Sequence, residues 1–253
     1  MTLPRTFYDL PFAHRGLHDV NDGRPENSRA AIRAAIAGGY GIEIDLQLSA
    51  DGAAMVFHDY DLGRLTGQEG AVRQNTAAAL GKVTLIGNDE GIPGLAEVLE
   101  LVAGQVPLLI ELKDQDGEMG PNIGALEEAT AAALKNYSGD AAVMSFNPHS
   151  VARMAELAPD IPRGIVTCSY RSEDWPLSAE TRETLRAIPD YDRVGASFIS
   201  HEWADLERPR VAELKSQGAT IFCWTIKSLK DEATARKVAD NVTFEGYQAA
   251  LPA

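Results

Sequence analysis

Short apolar runs alternate with amphipathic stretches along most of the chain. The apolar runs predict eight strands, over Pro11–His14, Gly41–Leu48, Leu108–Leu112, Ala142–Ser145, Gly164–Thr167, Gly195–Ile199, Thr220–Thr225 and Asn241–Phe244. The amphipathic stretches predict helices, one from a cap at Asn27 or Ser28 to Ala37 and others over Leu95–Val102, Ile123–Tyr137, Pro148–Ala158, Ala179–Ile188, Arg208–Ser216 and Leu229–Ala239. Alternating strands and helices are typical of parallel sheets with right-handed crossovers. Eight strands in 253 residues favour a closed α/β barrel, the (β/α)8 or TIM barrel, over an open doubly wound sheet.

One segment does not follow this alternation. Ser49–Gly52 predicts a tight hairpin turn, and Met55–Phe57 predicts a short returning strand that ends at His58. The next stretch is polar and rich in glycine, so we expect residues 59–92 to form a small insertion over the barrel mouth, after the second strand. The whole chain, residues 1–253, is then a single catalytic barrel domain.

The strand Gly41–Leu48 alternates apolar and polar residues. Side chains alternate between the two faces of a strand, so Glu43, Asp45 and Gln47 share one face. In a barrel the apolar face packs against the helices and the acidic face points inward. Two buried carboxylates cost several kcal/mol unless they are paired or bind a metal. A solvated edge strand with one polar face is the alternative interpretation.

The third strand repeats the pattern, since Glu111 and Lys113 share a face near its end. The carboxyl ends of barrel strands carry the active site in enzymes of this fold. Three carboxylates, from Glu43, Asp45 and Glu111, suit a hard cation such as Mg²⁺ or Ca²⁺ better than zinc. Taken alone, the Glu111–Lys113 pair is equally well explained as an ordinary ion pair.

Two histidines stand at strand ends. His14, with Arg15 beside it, ends the first strand, and His58 ends the hairpin strand. A lone histidine is usually structural, but two beside three carboxylates favour a catalytic role. Arg15 offers a planar fork for phosphate or carboxylate oxygens. The remaining histidines lack such neighbours and are expected to be structural: His18, His149 and His201.

Two further motifs are weaker. Pro25–Ser28, which contains Glu26 and Asn27, reads as an ordinary helix start with a capping residue. Trp224 ends the seventh strand, where it could form a stacking wall for a substrate or simply pack in the core.

Charge and composition limit the partners. The net charge of −14 argues against nucleic acid and against an anionic membrane surface. No apolar run is long enough for a membrane span, and no signal peptide is evident, so we expect a cytoplasmic protein without stable membrane association. Cys168 and Cys223 are expected to be buried, reduced thiols. The oligomeric state is not predicted.

The ordered set of motifs resembles the glycerophosphodiester phosphodiesterases. The motifs that carry this resemblance are dense in the first half and sparser in the second: His14–Gly16, Pro25–Ser28, Glu43–Asp45, Phe57–Asp59, Arg64–Gly67, Ile92-Pro93 and Glu111–Lys113, then Ser145–Pro148 and Cys223–Thr225. No single motif is specific, but their order and spacing are.

The resemblance implies a (β/α)8 barrel with a small insertion after the second strand. It implies hydrolysis of a small-molecule glycerophosphodiester to sn-glycerol 3-phosphate and an alcohol, with one divalent cation, Mg²⁺ or Ca²⁺. The site residues that it implies are the metal ligands Glu43, Asp45 and Glu111, the acid–base pair His14 and His58, the phosphate contacts Arg15 and Lys113, and the supporting residues Glu26 and Asn27.

Other functions remain open from the residues alone. The same chemistry could act on a lysophospholipid or a sugar-linked phosphodiester. A metal-free glycoside hydrolase could use Glu43 and Glu111, and a binding protein could use an inactive barrel. The chain also departs from the family pattern at its end, where Phe244-Glu245 replaces the usual Thr-Asp. We expect this change to alter the pocket for the alcohol and to leave the metal and histidine positions untouched.

Overall fold

A computed structural model describes residues 2–251 and shows a closed barrel of eight parallel strands with helices around it. The strands are β1 (Phe12–Ala13), β2 (Gly41–Leu48), β3 (Ala54–Val56), β4 (Leu108–Leu112), β5 (Ala141–Ser145), β6 (Arg163–Thr167), β7 (Phe198–Glu202), β8 (Thr220–Ile226) and β9 (Asn241–Phe244). Strand β1 closes the barrel because it pairs with both β2 and β9. Strand β3 lies outside the parallel set, as the antiparallel partner of β2. The (β/α)8 prediction is confirmed; Met1, Pro252 and Ala253 of the predicted domain lie outside the described residues.

Helices follow most of the strands and cover the outside of the barrel. They are α1 (Thr6–Asp9), α2 (Arg29–Gly38), α3 (Gly63–Thr66), α4 (Ala77–Leu80), α5 (Leu95–Val102), α6 (Ala125–Leu134), α7 (Pro148–Leu157), α8 (Ala179–Ala187), α9 (Pro209–Ser216) and α10 (Leu229–Ala235). Ser28 caps α2, since its hydroxyl accepts a hydrogen bond from the Ala31 amide at 3.1 Å. Within residues 2–251, no helix combines the length and the apolar character required to cross a bilayer.

Some predicted bounds were wrong for local reasons. The strand predicted over Gly195–Ile199 is β7 and begins three residues later, because the Gly195 amide closes a turn onto the Asp192 carbonyl at 3.0 Å. The helix predicted from Ile123 begins at Ala125, after Gly124 at a φ of 137°. Such turns depend on contacts that hydrophobic periodicity does not record.

The barrel encloses an apolar floor beneath a charged mouth. Phe12, Phe198 and Phe222 point inward and are fully buried, and Phe7 of α1 packs under them with its ring 5.3 Å from that of Phe12. Leu109 also points into this floor, so Glu111, two residues further along β4, points inward one layer higher. The floor excludes water from below, and the charged side chains lie at the carboxyl ends of the strands.

Residues 59–92 pack around an apolar cluster of their own. Its members come from the hairpin strand and from this segment: Met55, Phe57, Leu62, Leu65, Val72, Leu80, Val83, Leu85 and Ile92. Helices α3 and α4 lie in this segment. The cluster explains how a polar, glycine-rich stretch keeps a defined position beside the mouth.

Elsewhere, Cys168 and Cys223 are buried free thiols, as expected.

The close packing of the floor leaves no room for a side chain at Gly164 in β6. A Cβ on Gly164 would lie 2.4 Å from the ring of Phe198, which is fully buried and packs 5.0 Å from the ring of Phe222. We expect Gly164→Ala to lower the free energy of unfolding by about 1–3 kcal/mol, as measured by urea denaturation.

Gly63→Ala in α3 is the matched control. A Cβ at Gly63 would meet nothing closer than the Gln68 carbonyl at 3.9 Å, and alanine favours the helix. We expect this variant to be at least as stable as the parent protein. A Gly164→Ala variant as stable as Gly63→Ala would contradict the packing described here.

Candidate active site

Three carboxylates meet inside the barrel mouth. Register pairs Asp45 of β2 directly with Glu111 of β4, and Glu43 lies one inward position below Asp45. All three side chains are buried, and one oxygen of each lies within 4.8 Å of the others. Because β2 is hydrogen-bonded to β1 and β4 on its two sides, the solvated edge strand is excluded.

Lys113 is the main counter-charge of this trio. Its Nζ lies 2.8 Å from Asp45 Oδ1 and 2.7 Å from Glu111 Oε1. Burial alone would raise the pKa of Asp45, but Lys113, His58 and Arg15 together hold it well below its usual range. Burial likewise works against the charge of Lys113, yet the two carboxylates raise its pKa. Asp45 and Lys113 therefore form a charged pair in the buried mouth.

Glu43 and Glu111 behave differently from Asp45. Burial raises the pKa of Glu43 well above its ordinary value, and the neighbouring Asp45 and Glu111 raise it further. Burial and Asp45 also raise the pKa of Glu111, against the opposing effect of Lys113. The protein's own cations thus compensate the trio only in part. Three converging, buried carboxylates with this residual repulsion fit a hard divalent cation, which prefers oxygen ligands.

Arg15 and Asn27 complete the inner contacts. The Arg15 amide donates to Glu43 Oε2 at 3.0 Å, while its Nε lies 3.3 Å from Asp45 Oδ2. Asn27 Nδ2 donates to the same Asp45 oxygen at 2.9 Å. Arg15 Nη1 donates to Glu26 Oε1 at 2.6 Å. The motif that contains Glu26 and Asn27 was predicted to be a helix start, and it also contributes both of these side chains to the site.

Both expected catalytic histidines face the same small cavity. It has a volume of about 90 Å³ and is lined by His14, His58, Arg15, Lys113, Glu43 and Glu111, among others. His14 Nε2 lies 4.0 Å from Glu43 Oε2. Burial lowers the pKa of His58 to about 4 and also lowers the pKa of His14. Burial therefore favours the neutral form of both imidazoles.

Each of these histidines contacts a carboxylate through Nδ1. Asp59 Oδ1 lies 2.6 Å from Nδ1 of His58, and Glu245 Oε2 lies 2.6 Å from Nδ1 of His14. The expectation that the unusual chain end leaves the histidine positions untouched is therefore wrong. It failed because β9 pairs with β1, so that the residue after β9 comes beside His14.

The remaining histidines divide into three cases. His18 was expected to lack charged neighbours, but its Nε2 lies 3.5 Å from Glu245 Oε2. His201 is fully buried within β7, where it contacts Thr167 Oγ1 at 2.7 Å and Asp205 Oδ2 at 3.2 Å, as a structural residue would. His149 is exposed on α7.

Arg64 of α3 joins two halves of the site. It donates to both oxygens of Asp59, at 2.7 and 2.8 Å, and to both oxygens of Glu26, at 2.8 Å each. One guanidinium group thus holds the partner of His58 and the partner of Arg15. Sequence reasoning missed the roles of Asp59 and Arg64, although both lie in motifs that carried the family resemblance.

A larger cleft of about 540 Å³ opens beside the small cavity. His58, Glu111 and Lys113 line one side, and its apolar wall is formed by Tyr60, Met119, Phe146, Trp175 and Trp224. Trp224 is both a wall and a packing residue, since its Nε1 donates to the Ser200 carbonyl at 2.9 Å and its ring lies 5.6 Å from Phe146. Trp175 was missed because it lies in a loop without a strand-end signal.

Known proteins resemble this chain over most of its length. Residues 14–240 match the sequence model of the Glycerophosphoryl diester phosphodiesterase family. A glycerophosphodiester phosphodiesterase of Caldanaerobacter subterraneus is 29% identical over 88% of this chain and 87% of its own length.

Solved structures show the same fold. An Oleispira antarctica phosphodiesterase in complex with the product sn-glycerol-3-phosphate superposes with a TM-score of 0.76 at 22% identity, covering 96% of this chain and 93% of its own. A Thermotoga maritima glycerophosphodiester phosphodiesterase gives a TM-score of 0.71 at 22% identity, over 93% of this chain and 94% of its own.

The family match selects phosphodiester hydrolysis over the glycoside hydrolase and the inactive barrel. The matched region contains the buried carboxylate trio, both cavity histidines and the cations between them. The chain therefore belongs to the glycerophosphoryl diester phosphodiesterase family and is a phosphoric diester hydrolase.

Proposed function

We propose that the protein hydrolyses small glycerophosphodiesters to sn-glycerol 3-phosphate and an alcohol. One divalent cation, Mg²⁺ or Ca²⁺, is held by Glu43, Asp45 and Glu111, and His14 and His58 are the acid–base pair. The observation that carries the proposal is the single cavity in which both imidazoles face two of these carboxylates. The Oleispira antarctica phosphodiesterase of the same fold, whose product is sn-glycerol-3-phosphate, supports it.

Arg15 and Lys113 are the phosphate contacts in this proposal. Both line the cavity beside the histidines. Glu26 fixes the Arg15 guanidinium, and Lys113 is fixed between Asp45 and Glu111, so both cations are ordered before a substrate arrives. When bound, the cation supplies further neutralisation of phosphate charge.

The two histidines divide the proton transfers. One imidazole, in its neutral form, accepts a proton from the attacking water or glycerol hydroxyl. The other takes up a proton from solvent once the anionic phosphate is bound beside it, and donates that proton to the oxygen of the leaving alcohol. General acid–base catalysis contributes about 10²–10⁴-fold in rate for each such group. Burial lowers the pKa of both rings, which favours the neutral form with a free lone pair that the first of these steps requires.

A lysophospholipid is the second candidate substrate, and the apolar wall of the large cleft favours it. Phe146, Trp175 and Trp224 lie next to His58 and Lys113 in that cleft, with the Phe146 and Trp175 rings 4.8 Å apart. Such a wall can bury an apolar group attached to the phosphodiester. We further propose small-molecule substrates rather than nucleic acid, in line with the net charge of −14, and a cytoplasmic location.

Activity should depend on the metal and on the substrate. Metal-free protein is incubated with glycerophosphocholine, glycerophosphoglycerol or a lysophospholipid, each with Ca²⁺, Mg²⁺ or EDTA, and released glycerol 3-phosphate or lysophosphatidic acid is measured. We expect product with Ca²⁺ or Mg²⁺ and loss of activity with EDTA, because the buried trio then lacks its cation. Full activity in EDTA would refute the metal-dependent mechanism.

Activity should also depend on both cavity histidines. We expect His14→Ala and His58→Ala each to lower kcat by about 10²–10⁴-fold, because each removes one proton-transfer group. His149→Ala is the control, since His149 is exposed on α7, and its kcat should not change. Near-normal turnover of either cavity variant on glycerophosphodiesters would rule out the acid–base assignment.

Arg64 should support turnover through its two carboxylate partners. We expect Arg64→Met to lower kcat by about 10–100-fold, as loss of an outer contact typically does, because Asp59 and Glu26 lose their shared partner. The Arg64 side chain is 49% exposed, so folding should survive the change. The exposed Arg73→Met, in the same insertion, should leave kcat unchanged. Equal kcat values for the two variants would show that the Arg64 contacts do not matter for turnover.

A further inference from the structure

Glu245 lies where the barrel closes. Because side chains alternate between the two faces of β9, those of Asn241 and Thr243 point into the barrel. Glu245, two residues after Thr243, continues on the same face. Register pairs Ala13 of β1 with Phe244, and the His14 amide donates to the Phe244 carbonyl at 2.9 Å. The backbone therefore holds the side chains of His14 and Glu245 at neighbouring positions of the seam between β1 and β9.

The contact between these side chains uses one ring nitrogen and leaves the other free. Glu245 Oε2 lies 2.6 Å from His14 Nδ1, while His14 Nε2 lies 4.0 Å from Glu43 Oε2 and faces the cavity. An ionised carboxylate can only accept a hydrogen bond, so the proton of the neutral ring is at Nδ1. The lone pair of Nε2 is then directed towards the cavity.

Other groups keep Glu245 ionised and in place. Lys227 Nζ lies 2.7 Å from Glu245 Oε1, and the Glu245 amide donates to the Ile226 carbonyl at 2.9 Å. His14, His18 and Lys227 hold the pKa of Glu245 well below its usual range, against the effect of burial. Glu245 is thus a fixed anion behind the ring.

We propose that Glu245 is a positioning residue, which fixes the ring orientation and the tautomer of His14 so that Nε2 meets the substrate. The inference rests on the proposed role of His14 in proton transfer. Asp59 makes the corresponding contact with His58. Each imidazole then has its own carboxylate, one from the barrel seam and one from the segment after the hairpin strand.

Steady-state kinetics of Glu245→Gln and Glu245→Asp give the first test. We expect Glu245→Gln to lower kcat on a glycerophosphodiester by about 10–100-fold with KM changed by less than about twofold, because substrate contacts remain. Glu245→Asp keeps the charge on a shorter side chain and should recover part of the lost kcat.

The matched control is Asp240→Asn. Asp240 precedes β9 at the opposite end of the barrel and is also paired with a lysine, Lys215, at 2.9 Å. It removes the same charge and the same kind of pair away from the cavity, so kcat should stay at the parent value. A Glu245→Gln variant with the kcat of Asp240→Asn would overturn the proposal.

A double-mutant cycle separates positioning from a general structural effect. In a His14→Ala background, Glu245→Gln should lower kcat no further, because Glu245 acts through the missing ring. In a His58→Ala background it should still lower kcat. The same loss in both backgrounds would overturn the proposal. Near-normal turnover of His14→Ala alone would instead refute the proposed function, so the two failures are distinguishable.

Nitrogen-15 NMR of the imidazoles tests the inference without turnover. We expect the His14 signals of the parent protein to show a proton at Nδ1, with a proton resonance far downfield from the short bond to a carboxylate. In Glu245→Gln this resonance should move upfield while that of His58 stays. A parent protein with the His14 proton at Nε2, or a Glu245→Gln spectrum with unchanged His14 signals, would overturn the proposal.

Discussion

Glu43, Asp45 and Glu111 place three buried carboxyl groups within 4.8 Å of one another in the mouth of the barrel, and the surrounding side chains are arranged around this crowding. Buried ions lose hydration at a cost of several kcal/mol each unless counter-charges and hydrogen bonds replace the water. Lys113 compensates Asp45 and Glu111 in part. The raised pKa of Glu43 reflects the burial and the carboxylate repulsion that Lys113 does not compensate. In our proposal, a bound divalent cation relieves this repulsion.

Charge alternates outward from this centre to the surface. The inner cations and imidazoles contact the carboxylates of Glu26, Asp59 and Glu245. These carboxylates in turn contact Arg64 and Lys227, which lie nearer the surface. The outermost cations are 49% and 69% exposed, so they keep much of their hydration and cost little to bring together. Rigid inner groups are thereby held by partners that are themselves solvated, above an apolar floor that excludes water from below.

Local patterns predicted the parts of the site that lie on regular strands. Alternation along β2 and β4 placed Glu43, Asp45 and Glu111 on the inner face, and strand ends marked His14 and His58. The same rule could have found Glu245, which continues the inward parity of Asn241 and Thr243, but the pairing of the last strand with the first is a long-range contact that the local pattern does not show. Arg64 and Trp175 lie outside the barrel strands, so no periodicity pointed to them.

Calorimetric titration of Ca²⁺ or Mg²⁺ into metal-free protein tests most directly whether the carboxylate trio is a cation site. The account predicts one cation bound per chain in the parent protein. It also predicts that Asp45→Asn, which removes the charge at the centre of the trio, binds the cation far more weakly. A parent protein that binds neither cation, or an Asp45→Asn variant with unchanged affinity, would contradict it.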